Sequence, residues 1–347
     1  MKIKRSVLIA QLEAVRAGLS PKDIVDQASC FAFADGKVMT FNDEVACWGP
    51  SAFTPESGIA VPSGPLLTLL PKLLDEDLDL SSSGTSLVIK GKNKRTTVRV
   101  EAEVRLPINT VVPPAAADYF AIPDGFADGL ALVEKCAGAD EADFKYTCIH
   151  ITPKWMEACD NNQVSRYRLK IPGLKQNLLI RKEAVKAILA VELRRMAVAG
   201  SWLFFEGGQG MVIACRKHDE EYVDLTSVLE DEEGRVEAEL PKGLGESAEN
   251  AGVFSADNAD DDKVLVCLAN GQARITGEGA MGNHVEVKRV KYDGPPITFH
   301  IPPKLLQTIT TNHPECSLNQ RSLKVVVGRL TYLVSLTVVP PKITEAE

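Results

Sequence analysis

No two of the eight cysteines form a C-x-x-C pair; the closest, Cys148 and Cys159, are 11 residues apart. That spacing excludes a zinc ribbon and a dithiol redox motif. Several of the thiols sit in apolar runs such as YTCIHI and VLVCLA, which reads as buried, reduced cysteine in a cytosolic protein. Histidine is equally sparse: five residues, at 150, 218, 284, 300 and 313, with no ligand spacing and no nearby Ser or Cys nucleophile pattern. No catalytic set emerges, and no cofactor or metal is expected. Nothing approaches 18 consecutive apolar residues, so no membrane-spanning helix is expected. The opening MKIKRSVLIA has the basic start of a signal peptide, but Gln11, Glu13 and Arg16 interrupt its short apolar run. An excess of positive charge is also lacking. With 39 basic and 47 acidic residues the net charge is −8, against a protein basic all over but not against one basic face.

Two short motifs invite chemistry. GEGAMG (277–282) matches the G-x-G-x-x-G of a dinucleotide loop, which needs a helix behind it to hold phosphate. The residues behind it, NHVEVKRVKY, alternate like a strand, so the glycines read as a strand–loop–strand connection. DNADDDK (257–263) has carboxylates enough for a cation site but neither the glycine nor the closing glutamate of a calcium loop, and reads as a solvated acidic turn.

What the chain does have is a repeat. GIAVPSGPLLTLLPKLL, NLLIRKEAVKAILAVEL and TFHIPPKLLQTITTNH each run from a strand into an apolar helical stripe. Anchored on Val61, Ile180 and Ile301, they are spaced by 119 and 121 residues. Leu66, Val185 and Leu306 stand five past each anchor, and Leu69, Ile188 and Ile309 eight past, a spacing that suits one helix face. Strand pairs come after each helix: LVIKG with TTVRVE, WLFFEGG with GMVIACR, LKVVVG with LTYLVSLTV. Hairpins precede it, turning at Asp35-Gly36, Thr152-Pro153 and Asn270-Gly271; Asp-Gly and Asn-Gly are strong hairpin turns. Each unit opens on a helix candidate: SVLIAQLEAVRAGL, with Leu8, Leu12, Val15 and Leu19 on one face, then the weaker FADGLALVEKCAGA and LPKGLGESAENAGV. Linkers fall near 107–118 and 230–240. The expectation is an α+β protein of three repeated domains, 1–118, 119–232 and 233–347.

At this length, order and spacing the chain resembles the bacterial DNA polymerase sliding clamp, the β-subunit type. The third unit carries the likeness best: Tyr292, Gly294, Pro296, Pro302, Leu305 and Leu306 stand where the family has its Y-x-G-x-P and F-N-P-x-x-L-L blocks. YVDLTSVL (222–229) is similar to its F-P-D-Y-x-x-V segment. The resemblance implies DNA-clamp domains, each with two helices packed on antiparallel sheets, in a head-to-tail homodimeric ring. It implies a non-catalytic processivity factor that slides on double-stranded DNA without reading sequence and binds a DNA polymerase and a clamp loader. Helix-borne bases would then line the hole: Lys4, Arg5, Arg16 and Lys72, then Lys135, Lys182, Lys186, Arg194 and Arg195, then Lys242 and Lys304. A hydrophobic groove for partner peptides would be formed by Cys159, Asn161, Asn162, Gln163 and Val164, by Val223 to Val228, and by the closing strand with Leu333 and Ser335. Val253 and Phe254 would meet the neighbouring subunit. The sequence departs from the family in the groove, where Asn161-Asn162-Gln163 replaces Gly-His-Arg and Val223 replaces Pro, and in its ending, LTVVPPKITEAE. These departures leave a second reading open, a clamp-like interaction module that does not encircle DNA.

Overall fold

A computed structural model of the chain describes residues 1–22, 25–255 and 263–339. Seven α-helices occur among them: α1 (Arg5–Val15), α2 (Ser63–Leu69), α3 (Phe126–Val133), α4 (Lys182–Leu189), α5 (Thr226–Leu229), α6 (Lys242–Ser255) and α7 (Pro303–Asn312). The repeat anchors Val61, Ile180 and Ile301 are fully buried, in strands Ile59–Pro62, Leu178–Arg181 and Ile297–Ile301 that lead straight into α2, α4 and α7. Local chemistry starts and stops these helices. Pro303 occupies the first turn of α7, where its missing N–H costs nothing. Glu183 in the first turn and Lys186 in the last turn of α4 complement its dipole. Pro71 tightens the end of α2 into a 3₁₀ turn, so Leu70 is buried there and Leu69 only half-buried.

Contacts divide the chain into two compact units. The first comprises Met1–Glu134, Ala139–Met156 and Leu169–Tyr222; the second comprises Lys135–Gly138, Glu157–Arg168 and Val223–Glu347. In the first unit an eight-stranded antiparallel sheet runs in the order 59–62, 30–34, 37–41, 45–50, 212–216, 202–207, 193–199, 120–121. Its middle is the pairing of Trp48 with Val212 and of Val45 with Cys215, which joins strands of the first and second repeats into one sheet. Phe41, Trp202 and Phe204 pack beneath it, and the 107–118 linker is part of that core through Ile108 and Val111. Strands Lys2–Lys4, Asp77–Ser83, Ser86–Lys90 and Arg95–Arg99 make a second sheet.

The second unit holds a five-stranded sheet, ordered 282–289, 272–279, 264–269, 297–301, 337–338. Its other strands run 163–168, 330–335, 322–327, 315–318, 236–239, 291–292. Asp35 and Gly36 (φ +50° and +70°) and Asn270 and Gly271 (+52° and +69°) take the left-handed conformations of the hairpin turns expected from their sequence. GEGAMG is a strand–loop–strand connection: the strand Gln272–Gly279 pairs with Gly282–Arg289.

Among the strands not expected are Val45–Pro50, Gln163–Arg168 and three that each follow a repeat helix, Asp77–Ser83, Leu193–Ala199 and Glu315–Leu318. In the last three Asp, Ser and Arg dominate or interrupt the pattern, and only pairing with a neighbour makes them strands. The 230–240 stretch is a linker for only half its length, because Val236–Glu239 pairs on both sides. DNADDDK, apart from Lys263, and the residues after Val339 lie outside the described residues.

Candidate functional site

Eight of the eleven basic candidates lie in the first unit; Lys135, Lys242 and Lys304 lie in the second. Lys4 ends a strand at the start of α1, where Asp77 accepts from its Nζ at 2.7 Å and raises its pKa. Arg5 meets Glu76 at 3.5 Å and Arg16 meets Glu13 at 3.2 Å. Arg5 on α1 and the candidates that flank the helix, Lys4 on the strand before it and Arg16 in the 3₁₀ turn after it, are thus all paired with a carboxylate. Arg194 and Arg195 correct the expectation that they ride on a helix. Helix α4 ends at Leu189, and both lie on strand Leu193–Ala199. There Arg195 faces Glu206 across the strand pair, with Nη2 at 2.5 Å from the carboxylate and the guanidinium 5.4 Å from the Tyr119 ring centre. Arg194 sits 3.6 Å from Glu192.

The remaining cations differ. Among the described residues Lys72, Lys135, Lys186, Lys242 and Lys304 are exposed and make no ion pair. Lys182 and Lys186 stand four apart on α4, opposite Ala184, Val185, Ala187 and Ile188, which are buried. On α6 Lys242 shares the exposed surface with Glu246 and Glu249.

All nine groove candidates belong to the second unit. The Asp160 carboxylate accepts from the backbone N–H of Asn162 and Gln163, at 2.7 and 2.9 Å, which folds the exposed Asn161-Asn162 turn. Asn162 then accepts from the Ser335 N–H at 2.8 Å, tying the turn to the closing strand. Val164 pairs directly with Leu333, so the two share a sheet face, with Ser335 two residues on. Gln163 points to the opposite face. Its Oε1 accepts from Tyr332 Oη at 2.8 Å, and its Nε2 donates to the Lys135 carbonyl and to Asp160. Burial pushes the Tyr332 hydroxyl pKa far upward, and that of Cys136, also beside Gln163, up to about 12. Cys159 is buried, Val223 is half-buried, and Val228 on α5 stands 47% exposed.

Sequence reasoning missed the polar support of this region. Arg166 and Glu157 form an ion pair with only 6% and 3% of their side chains exposed, Nε to Oε2 at 2.6 Å. Lys324, equally buried, pairs with Glu232. The only signal available was a charge at an inward position of an alternating strand, QVSRYR and SLKVVV.

Val253 and Phe254 lie near the end of α6. Val253 is 64% exposed, and Phe254 stacks on His284 with ring centres 6.1 Å apart and planes 7° apart. Met281, Val285 and Val287 on the adjoining hairpin are also exposed, and strand Gly282–Arg289 is a sheet edge. Among the described residues no three His, Cys, Asp or Glu are grouped to hold a metal ion, and no helix is long and apolar enough to cross a membrane.

No family model and no curated protein sequence matches the chain. Solved structures do. The DNA polymerase III β subunit of Thermotoga maritima superimposes with a TM-score of 0.83 at 14% identity, over 98% of this chain and 99% of that one. A sliding clamp from Bartonella birtlesii, solved bound to griselimycin, gives 0.84 at 14% identity with the same coverage. A Pseudomonas aeruginosa DNA polymerase sliding clamp gives 0.81 at 15% identity, over 97% and 99%. The fold is that of the β-type clamps along nearly the whole chain.

Proposed function

We propose that this chain is a DNA sliding clamp: a non-catalytic protein that closes as a head-to-tail homodimer around double-stranded DNA and tethers a polymerase placed there by a clamp loader. The observation that carries this reading is the β-clamp fold, matched end to end at TM-scores of 0.83 and 0.84. The strand-to-helix unit recurring at Val61, Ile180 and Ile301 supports a division into three clamp domains, 1–118, 119–232 and 233–347. In a six-domain ring these units would put helices on the inside, where phosphate attraction without base contacts lets the protein slide. Lys72, Lys135, Lys186, Lys242 and Lys304 are the cations best suited to this task, because no described carboxylate neutralises them. Lys4, Arg5, Arg16, Arg194 and Arg195 would have to give up an ion pair first, and Lys182 flanks Lys186 on α4.

The polymerase and loader would dock by short apolar peptides in the groove between Val164, Leu333 and Ser335 and the wall Val223–Val228. The test of the clamp itself is retention on DNA. After loading on a nicked circle, the protein should stay bound through a high-salt wash and leave once the circle is cut open. Equal loss from circular and linear DNA would contradict the topological mechanism. One observation favours the second reading, a clamp-fold interaction module: the paired cations on and beside α1 and the glutamates beside Lys242 weaken two of the helices that would face phosphate. The same retention assay decides between the two.

A further inference from the structure

We propose that Arg166 is a positioning residue that sets the groove's second wall, Val223–Val228, in place from within the sheet. The proposal rests on the reading of this region as a peptide groove. Arg166 belongs to strand Gln163–Arg168 and lies on the same sheet face as Val164, two residues away, and as Thr331, its direct partner. Its guanidinium is held on one side by the buried Glu157 carboxylate, 2.6 Å from Nε. On the other side Nη2 donates to Thr226 Oγ1 at 3.3 Å. Thr226 is the first residue of α5, a helix of four residues, too short to persist on its own propensity.

What fixes α5 is therefore its side-chain anchorage. Leu225 and Leu229 are buried, the Asp224 carboxylate accepts from the Thr226 N–H at 2.9 Å, and Arg166 grips the hydroxyl. Val228 is left outward, 47% exposed. One guanidinium thus joins the strand that carries the first wall to the helix that carries the second. The buried pair with Glu157 holds it at a defined point, because neither charge can leave without stranding the other. Distance across the groove, and with it the apolar side chain the groove admits, is set by this contact.

The test uses full-length protein and three variants. Thr226→Val removes the hydroxyl at constant shape, and with it both the Arg166 contact and the side-chain bond to Asp224; Thr226→Ser restores it. Glu157→Met/Arg166→Met removes the gripping group without leaving a lone buried charge, and this double variant isolates the share of Arg166. Amide hydrogen exchange over 223–229 should quicken about tenfold in Thr226→Val and in the double variant, as the loss of one charge-assisted hydrogen bond implies. It should return to the wild-type rate in Thr226→Ser, with the strands elsewhere unchanged. Unchanged exchange in both Thr226→Val and the double variant overturns the positioning role. A fluorescein-labelled pentapeptide carrying two leucines, of the short apolar class the groove would admit, is the ligand probe. Loss of its binding in Val228→Asp, with about tenfold weakening in Thr226→Val, supports both readings. Loss in Val228→Asp with no change in Thr226→Val keeps the groove and overturns the role of Arg166. Binding unaffected by Val228→Asp overturns the groove and this proposal's effect on ligand choice with it.

Discussion

Gly277 shows how a single missing Cβ can decide packing. A Cβ built on it would lie 1.9 Å from the Ala251 carbonyl oxygen of α6, a backbone atom that cannot rotate away. Gly277→Ala must push α6 off the hairpin, at about 3 kcal/mol, read as a lower midpoint in urea; an unchanged midpoint would mean that α6 does not sit there. The first glycine of GEGAMG is thus required by a helix in front of the strand rather than by a phosphate. The thiols make a second prediction at this scale. Burial pushes Cys47, Cys136, Cys148 and Cys316 from 9.0 up to about 12. A folded pKa above the unfolded one stabilises fully below pH 9, and that stability is lost as pH rises toward 12. Denaturation midpoints should be insensitive to these thiols up to pH 9 and fall above it. The native protein should react slowly with a thiol reagent at pH 8, in contrast to the unfolded chain.

Among the elements, legibility in the sequence tracked periodicity. Val61, Ile180 and Ile301 and the stripes after them were readable because strand and helix each bury a regular set of side chains. Asp35-Gly36 and Asn270-Gly271 were readable because their turn needs two left-handed residues. Leu193–Ala199 was not, since Arg194 and Arg195 mimic the polar end of α4 until Glu206 is seen across the strand pair. Nor was the tie between residues 231–235 and strand Ser322–Val327. Arg235 donates to the Asp231 carbonyl at 2.6 Å and to Ser322 Oγ at 2.7 Å, and Asn319 donates to the Glu233 carbonyl at 3.1 Å. Lys324, 4% exposed, depends on Glu232, which is 71% exposed. Glu232→Ala leaves that ammonium buried without its partner, costing about 2 kcal/mol because water can reach it where the carboxylate was. Glu232→Gln should cost less, and equal stability of all three proteins would show that the pair holds nothing.

For the whole molecule, the recurring strand-to-helix unit was legible from spacing and the clamp likeness from element order and the short motifs around Tyr292 and Leu306, while the sharing of one eight-stranded sheet by strands of two repeats was not. That joint depends on Trp48 meeting Val212, residues 164 positions apart that no local pattern links. Val253, Met281, Val285 and Val287 are exposed apolar residues around a free sheet edge, and a ring that closes on itself would cover them. Val253→Asp/Phe254→Asp should accordingly give a folded monomer. The most direct measurement of the central claim is the absolute molar mass of the wild-type protein by light scattering, at low micromolar concentration and moderate salt. A closed two-subunit ring predicts twice the 37.6 kDa of the chain. A single-chain mass that persists as concentration rises would contradict it, leaving the clamp fold without a ring to encircle DNA.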